Sequence, residues 1–154
     1  MSDVTAWRLC AAHRLPMAFS GEGSARRGGR WNLFGTRVVY TAESRALAMV
    51  ELLVNAEDRA RLGALEWIFV PATIPNELIE RPAKFSPSWR DYPHNRETQV
   101  FGSEWIKARR SVALPVPSAV VSGEFNYLLN PAHPDFKRVK VGKPEPFSFD
   151  PRLR

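Results

Sequence analysis

Residues 28–51 read GGRWNLFGTRVVYTAESRALAMVE and run from a glycine-containing loop through a short strand into a helix. The glycines at 28, 29 and 35 permit positive φ and a close approach to a ligand. Residues 38–40, VVY, predict a strand because β-branched and aromatic side chains suit a half-buried pleated surface. Thr41 or Ser44 can cap the helix that follows, in which apolar residues recur at spacings of three and four.

Three polar side chains in this stretch, Arg30, Tyr40 and Glu51, are candidates for chemistry. Glu51 falls four residues after Leu47 and three before Val54, which places a carboxylate on or beside the apolar face of the helix. An arginine in a glycine loop suits bidentate binding of a phosphate. A tyrosine at a strand end offers a flat face to a heteroaromatic ring, and a carboxylate can stabilise an oxocarbenium-like centre or bond a ribose hydroxyl.

A hydroxyl from a later extended segment, Ser118 or Ser122, would complete these residues as a site for a nucleotide sugar. The alternative interpretation is structural: Glu51 pairs with an arginine, Tyr40 belongs to the core and Arg30 lies on the surface. Periodicity and spacing favour the two interpretations about equally.

Outside this stretch, short extended segments alternate with turns and a second helix. Strands are predicted at 5–9, 65–74 (with Pro71 at an edge or bulge), 125–129 and 136–141, an extended segment at 111–121, and a final strand carrying Phe147 and Phe149. Residues 19–24 are predicted as loop, 82–95 as a structured proline-rich loop, 55–61 as the end of the first helix with Gly63 as its stop, and 96–110 as a helix with Glu97 or Thr98 near its start. Many short strands with a few helices in no strict alternation indicate an α+β fold, and the length favours one compact domain over residues 1–154.

The composition is basic, with 22 Lys and Arg against 16 Asp and Glu and a formal net charge of +6. This charge suits an anionic partner such as nucleic acid, a nucleotide phosphate or an acidic protein, although it also serves solubility. The single cysteine, Cys10, excludes an intrachain disulfide and fits a reducing compartment. The N-terminus lacks an apolar signal segment and no apolar run could span a bilayer, so we expect a cytoplasmic protein without a membrane partner.

Several catalytic classes lack their signatures. The histidines, His13, His94 and His133, stand far apart without a His or Cys partner at ligand spacing, so we expect surface or turn positions and no metal site. The glycine loop matches neither the G-x-x-x-x-G-K-[ST] phosphate loop nor the dinucleotide fingerprint. The G-x-S-x-G motif of serine hydrolases is absent, and Cys10 has no local signature of a nucleophile.

The pattern GGRWN-x-x-G-x-x-VVY-T-A-E-S-x-A-L-A-x-x-E of residues 28–51 is followed by VPS at 116–118 and by NYLLNPAHPDF at 126–136. Together these motifs resemble the RES domain, and the resemblance covers residues 7 to 141. RES proteins are toxins of bacterial toxin–antitoxin pairs that consume NAD, and their compact fold is similar to that of ADP-ribosyltransferase toxins. The resemblance therefore implies the same fold here, with NAD as substrate and no metal.

The family is named for an arginine, a glutamate and a serine, which match Arg30, Glu51 and Ser118. By this resemblance Arg30 holds the pyrophosphate or a ribose, Tyr40 stacks on nicotinamide, Glu51 stabilises the ribosyl cation and Ser118 assists by hydrogen bonding. The NAD-binding residues it implies are Arg30, Trp31, Tyr40, Ser118 and Asn130.

The implied reaction is cleavage of the nicotinamide N-glycosidic bond, with ADP-ribose passed to water, phosphate or a protein. The implied partner is a helical, Xre-like antitoxin of a type II system that blocks the site in a hetero-oligomeric complex, and nucleic acid is reached only through that antitoxin. Two alternatives remain: a basic toxin that binds nucleic acid or cleaves RNA, and an antitoxin-binding module without catalytic activity.

Overall fold

Seven strands, three α-helices and several short 3₁₀ helices make up residues 2–154, the part of the chain that the computed structural model describes. The strands are β1 (Val4–Ala11), β2 (Val39–Ala42), β3 (Trp67–Ile74), β4 (Ala113–Pro117), β5 (Phe125–Leu129), β6 (Lys140–Val141) and β7 (Glu145–Phe147). The α-helices are α1 (Glu22–Arg27), α2 (Arg45–Asn55) and α3 (Arg96–Ala108). The 3₁₀ helices span Ala12–Met17, Arg59–Gly63, Asn76–Leu78, Pro87–Arg90, Pro134–Arg138 and Pro151–Leu153.

The strands form one sheet in the order β4-β5-β2-β1-β3-β6, with β7 also paired to β3, and every strand pairing is antiparallel. This arrangement confirms the predicted α+β fold. The outer edge of β3 is shared, since β7 pairs with its first half and β6 with its second. Pro71 lies between these two pairings and its carbonyl accepts a 2.8 Å hydrogen bond from Gly142 N. The N–H that proline lacks would face the same outer edge, so the pairing with β1 loses no hydrogen bond.

The two faces of the sheet carry separate apolar clusters, because successive side chains of a strand point to opposite faces. Ala42 packs with the apolar side of α2, and Tyr40, two residues earlier on the same face, packs beside Trp105 of α3. Val39 points to the other face, where it packs with residues of β1, β3, β4 and β5. Both longer helices therefore cover one face of the sheet.

Helix α2 begins where the sequence predicts. Of the two candidate caps it is Ser44 that serves, because its side chain accepts a 3.0 Å hydrogen bond from Leu47 N and satisfies one of the free N–H groups of the first turn. Leu47 and Ala48 are buried against the sheet. The helix ends at Asn55, so the prediction that it continues to Gly63 is wrong: residues 59–63 form a separate 3₁₀ helix capped by Asp58.

Helix α3 begins at Arg96, where the sequence predicts, and ends at Ala108, two residues before its predicted end. Its cap is Asn95, whose Oδ1 accepts a 3.1 Å hydrogen bond from Thr98 N, and its buried side includes Gly102, Ser103 and Trp105. A Cβ on Gly102 would overlap the carbonyl of Trp31, so only glycine allows the helix to lie this close to the loop that precedes β2.

Two other predictions need correction. Residues 19–24 are only partly loop, since α1 begins at Glu22. The strand predicted at 136–141 is reduced to β6, because Pro134 starts a 3₁₀ helix whose N-terminus is capped by the His133 ring. His133 is thus a turn residue, as expected. Among residues 2–154, none of the helices combines the length and apolar character that crossing a membrane requires.

Candidate active site

Glu51 and Ser118 are joined by a hydrogen bond at the centre of the predicted site. Glu51 lies in the last turns of α2 and Ser118 follows directly after β4. The Ser118 Oγ donates to Glu51 Oε2 over 3.0 Å and accepts hydrogen bonds from Val120 N and Val121 N, at 3.1 and 3.0 Å. Because both backbone groups are donors, the hydroxyl proton is directed at the carboxylate. Ser122 lies exposed in the following turn, so the serine that this structure pairs with Glu51 is Ser118.

The Glu51 carboxylate is partly buried, and burial raises its pKa above the ordinary value of a glutamate. Polar contacts from Ser118 and Asn126 and the charge of Arg30 oppose this rise, in that order of size. The carboxylate is therefore weakly solvated but held by directed donors. A negative charge in such a setting can act strongly on a positive charge that develops beside it.

Arg30 is held by the backbone of the 3₁₀ helix Pro87–Arg90 and the residue that follows it. Its Nη1 donates to the carbonyls of Trp89 and Asp91, each over 2.9 Å. Burial lowers the pKa of Arg30, and the charge of Glu51 raises it. The guanidinium is thus aimed by two fixed acceptors, while its remaining N–H groups are available to a ligand.

Tyr40 is anchored through its hydroxyl, which donates to Asn32 Oδ1 over 2.5 Å and accepts from Trp31 N over 3.1 Å. Burial raises the pKa of this hydroxyl, so it is neutral throughout the physiological range. A Cβ on Gly29 would lie 2.7 Å from the same oxygen, which explains why glycine occupies this position. Tyr40 thereby ties the loop that carries Arg30 to the middle of the sheet.

Asn32 is a central residue of that loop, and the sequence alone did not single it out. It is fully buried, and its Nδ2 donates to the carbonyls of Ser24 and Thr36 at 2.9 and 3.0 Å. Helix α3 makes two further hydrogen bonds to the loop. Gln99 Nε2 donates to Gly29 O over 3.0 Å, and Ser103 Oγ accepts from Leu33 N over 2.9 Å. The signal that could have found Asn32 is its place inside the GGRWN motif directly after the candidate arginine.

The other two predicted NAD-binding residues have different surroundings. Trp31 is buried beside Phe85 and Trp89, with ring centroids 4.8 and 6.1 Å away. Asn130 is fully buried, and its side chain donates to Ile106 O and accepts from Ala132 N, each at 3.0 Å. The structure brings neither side chain to Glu51, and their binding roles stay predictions.

Asn126, four residues before Asn130 in the same motif, lies beside the site. It pairs with Ala42 of β2, the strand that leads to α2, and with Val116 of β4, the strand that ends just before Ser118. Its amide is close enough to Glu51 to lower the pKa of that carboxylate. Strand alternation could have found it, because Asn126 and the buried Leu128 share a face of the sheet.

The site residues thus come from the loop before β2, from β2, from α2 and from the loop after β4. Within residues 2–154, His, Cys, Asp and Glu side chains form no group of three that could hold a metal ion. The arrangement combines a fixed cation with a directed carboxylate on the same face of the sheet. It can bind an anionic group at one end and stabilise a cationic centre at the other.

Comparison with known proteins places the chain in a family. Residues 5–150 match the RES domain. The chain belongs to the RES domain family. A similar solved structure is the Mycobacterium tuberculosis MbcT–MbcA toxin–antitoxin complex, with 18% identity, a TM-score of 0.73, and coverage of 95% of this chain and 85% of that chain. This likeness shows that the fold is shared.

Three related toxins align with nearly the whole chain. The Prs ADP-ribosylating toxin of Sphingobium sp. is 36% identical, over 96% of this chain and 94% of its own length. The protein named Toxin Res of Yersinia enterocolitica is 35% identical, over 96% of this chain and 98% of its own length. Toxin Res of Pseudomonas putida is 36% identical, over 96% of this chain and 97% of its own length. This chain is therefore similar to proteins of its own size.

Proposed function

We propose that this protein is the toxin of a type II toxin–antitoxin pair and that it breaks the bond between nicotinamide and ribose in NAD. The observation that carries the proposal is the 3.0 Å hydrogen bond from Ser118 to Glu51, which aims a partly buried carboxylate into the site that Arg30 shares. The names of the relatives support it, since all of them are called toxins and one is called ADP-ribosylating.

Each residue then has a role that its contacts allow. Arg30 binds the pyrophosphate or a ribose with the N–H groups that Trp89 and Asp91 leave free. Tyr40 offers its half-buried ring to nicotinamide while its hydroxyl holds the loop. Ser118 keeps Glu51 in one orientation.

The chemistry needs little acid–base assistance. When the glycosidic C–N bond breaks, its electron pair leaves with the nicotinamide nitrogen and neutralises the positive charge of that ring. The positive charge develops instead at the ribosyl carbon, where Glu51 stabilises it. An acceptor then forms a new bond to this carbon and releases the displaced proton to solvent. Fixed positioning and the carboxylate supply most of the rate enhancement in this scheme.

Water, phosphate or a protein can serve as the acceptor, and the name of the Sphingobium relative favours transfer to a protein. An antitoxin is the expected partner, because the structurally similar protein was solved in a toxin–antitoxin complex. We expect this antitoxin to be helical and Xre-like, to cover the site, and to carry the only contact with nucleic acid. The cytoplasm, where NAD is abundant, is the expected place of action.

The direct test is to incubate the purified protein with NAD and to measure free nicotinamide, in phosphate buffer, in phosphate-free buffer and with cell extract. Nicotinamide release is expected in at least one of these conditions. Glu51→Gln removes the charge with little change of volume and should lower the rate about a hundredfold or more, the usual size for the loss of a group that stabilises transition-state charge.

The matched control is Glu104→Gln, which removes the same charge from an exposed position on α3. This variant should keep the full rate. Absence of nicotinamide release under all conditions would exclude the proposed reaction. Toxicity without loss of cellular NAD would instead favour a nucleic-acid target. Mass spectrometry of the product made with and without phosphate would identify the acceptor.

A further inference from the structure

Arg90 is a second arginine beside the site, and neither the family motifs nor the roles above include it. It lies at the end of the 3₁₀ helix Pro87–Arg90, between the two residues whose carbonyls hold Arg30. Its own Nη2 donates to Ala119 O over 3.1 Å. Ala119 follows Ser118, so Arg90 connects the segment that bonds Arg30 to the loop whose Ser118 bonds Glu51.

The two arginines are close in space and lack a carboxylate partner. Burial is the main cause that lowers the pKa of Arg30, and the charge of Arg90 lowers it further, whereas the charges of Glu51 and Asp91 raise it. Within residues 2–154, neither guanidinium has an Asp or Glu oxygen within 4.0 Å, whereas Arg45, Arg110 and Arg152 all do. Two neighbouring cations repel each other unless an anion neutralises them. A bound anion would neutralise both guanidinium charges at once.

His94, three residues beyond Asp91, is a further polar group near Arg30. Its Nδ1 is buried and has no hydrogen-bond partner among the described residues. Burial and the nearby charge of Arg30 lower the pKa of His94, so its ring is neutral at neutral pH. His94 therefore adds no third positive charge beside the two arginines.

We infer that Arg30 and Arg90 together grip a diphosphate, and that this pair makes the site select a dinucleotide over a mononucleotide or nucleoside. The inference rests on the proposed function and names the feature of the substrate that the site recognises. Two guanidinium forks match the two charged phosphate groups of a diphosphate. Glu51 repels phosphate, so the diphosphate lies at the arginine side and the nicotinamide ribose points toward the carboxylate.

A structural role is the alternative for Arg90, since its hydrogen bond to Ala119 O could simply fix the loop after β4. The two roles differ in their consequences. A structural residue would affect the stability of the fold and the turnover of every substrate alike. A diphosphate-binding residue would affect ligands in proportion to their phosphate content.

The experiment uses ADP as the probe, because ADP carries a diphosphate and has no nicotinamide to lose. Calorimetry would compare the wild-type protein, Arg90→Gln and Arg90→Lys with Arg110→Gln as the matched control. Arg110 is exposed and precedes β4, at the end of the strand opposite Ser118. We expect Arg90→Gln to weaken ADP binding roughly tenfold or more, the effect of losing one charge-assisted hydrogen bond. Arg90→Lys should bind with intermediate affinity, and Arg110→Gln should bind like the wild type.

Turnover provides the second readout. Arg90→Gln should raise KM for NAD more than it lowers kcat, and should reduce the preference for NAD over nicotinamide riboside. Unchanged ADP affinity in both Arg90 variants, or failure of the wild type to bind ADP, would overturn the inference. Equal losses for NAD and nicotinamide riboside together with a lower Tm would assign Arg90 the structural role. A wild type that binds ADP through Arg90 but releases no nicotinamide would contradict only the proposed reaction.

Discussion

The half-buried Tyr40 is paired with the fully buried Asn32, because its hydroxyl donates a 2.5 Å hydrogen bond to Asn32 Oδ1. The same hydroxyl accepts from Trp31 N over 3.1 Å, and Asn32 Nδ2 donates to the carbonyls of Ser24 in α1 and Thr36 in the loop. The loop that presents Arg30 is therefore fastened to β2 by one phenol oxygen. Tyr40, the candidate for stacking on the substrate, therefore also anchors the loop whose Arg30 is the candidate for binding phosphate.

Tyr40→Phe tests this anchor. The change keeps the aromatic ring and removes the hydroxyl, which leaves Asn32 Oδ1 and Trp31 N without this partner. Unsatisfied buried groups of this kind cost about 1–3 kcal/mol of the free energy of unfolding. We expect that loss in chemical denaturation, together with a raised KM for NAD because Arg30 is less well placed. Tyr127→Phe is the control, since the structure shows no hydrogen bond from that hydroxyl among the described residues. Equal effects of the two changes would contradict the anchoring role.

Ser118→Ala tests the orientation of Glu51. It removes the donor to Glu51 Oε2 and the acceptor of Val120 N and Val121 N. The kcat for nicotinamide release should fall roughly ten- to a hundredfold, because the loss of one polar group that orients or stabilises charge costs about 1.5–3 kcal/mol. Ser122→Ala, in the exposed turn nearby, should keep the wild-type rate. A comparable fall of kcat in Ser122→Ala would contradict the role of Ser118 as the serine that orients Glu51.

The pH dependence of turnover should report the ionisation of Glu51. The carboxylate must be charged to stabilise the ribosyl cation, so kcat should rise with pH as Glu51 loses its proton. Burial raises the pKa of Glu51, so this rise should lie above the ordinary glutamate value of 4.5. Ser118→Ala should move it to still higher pH, because the hydrogen bond from Ser118 lowers this pKa. A rise of kcat centred below pH 4.5, or one whose midpoint does not move in Ser118→Ala, would contradict this role of Glu51.

The same ionisation links stability to pH. Because the pKa of Glu51 is raised in the folded protein, the native state binds this proton more tightly than the unfolded chain does. The stabilising effect of the protonated group is complete below 4.5 and is lost as pH rises through the raised pKa. Glu51→Gln should therefore unfold at a higher temperature than the wild type near neutral pH, and the difference should shrink in acid.

Gly102→Ala tests the close contact between α3 and the loop. Alanine in place of glycine normally stabilises a helix by about 0.5–1 kcal/mol. Here the new Cβ would overlap the Trp31 carbonyl, so we expect destabilisation of about 1–3 kcal/mol in urea unfolding, as in other overpacked positions. Gly23→Ala in α1 is the control, because a Cβ there has no heavy atom within 4 Å. That variant should be slightly stabilised, and stabilisation of both variants would contradict the contact.

Much of the fold could be predicted from the sequence because its signals are local. The strand of residues 125–129 and the loop–strand–helix order of residues 28–51 follow from propensity and spacing, and so does a helix cap at Thr41 or Ser44, of which the structure uses Ser44. The predictions failed where a proline or a capping side chain overrode an alternating pattern, as Pro134 and His133 do before β6.

The candidate site was predictable as a set of residue types, and its assembly was not. Arg30, Tyr40 and Glu51 stand within one short stretch of sequence, and local patterns identify them together with the family motif. The choice of Ser118 over Ser122, the place of Asn126 beside the carboxylate and the position of Arg90 between two loops depend on strand pairings and hydrogen bonds across long sequence separations. Contacts between residues so far apart in the sequence leave no periodic pattern in it, because these groups meet only after the sheet has formed. The sequence therefore indicates the kind of chemistry, and the packing of α2, β4 and the 87–91 segment determines which atoms face one another.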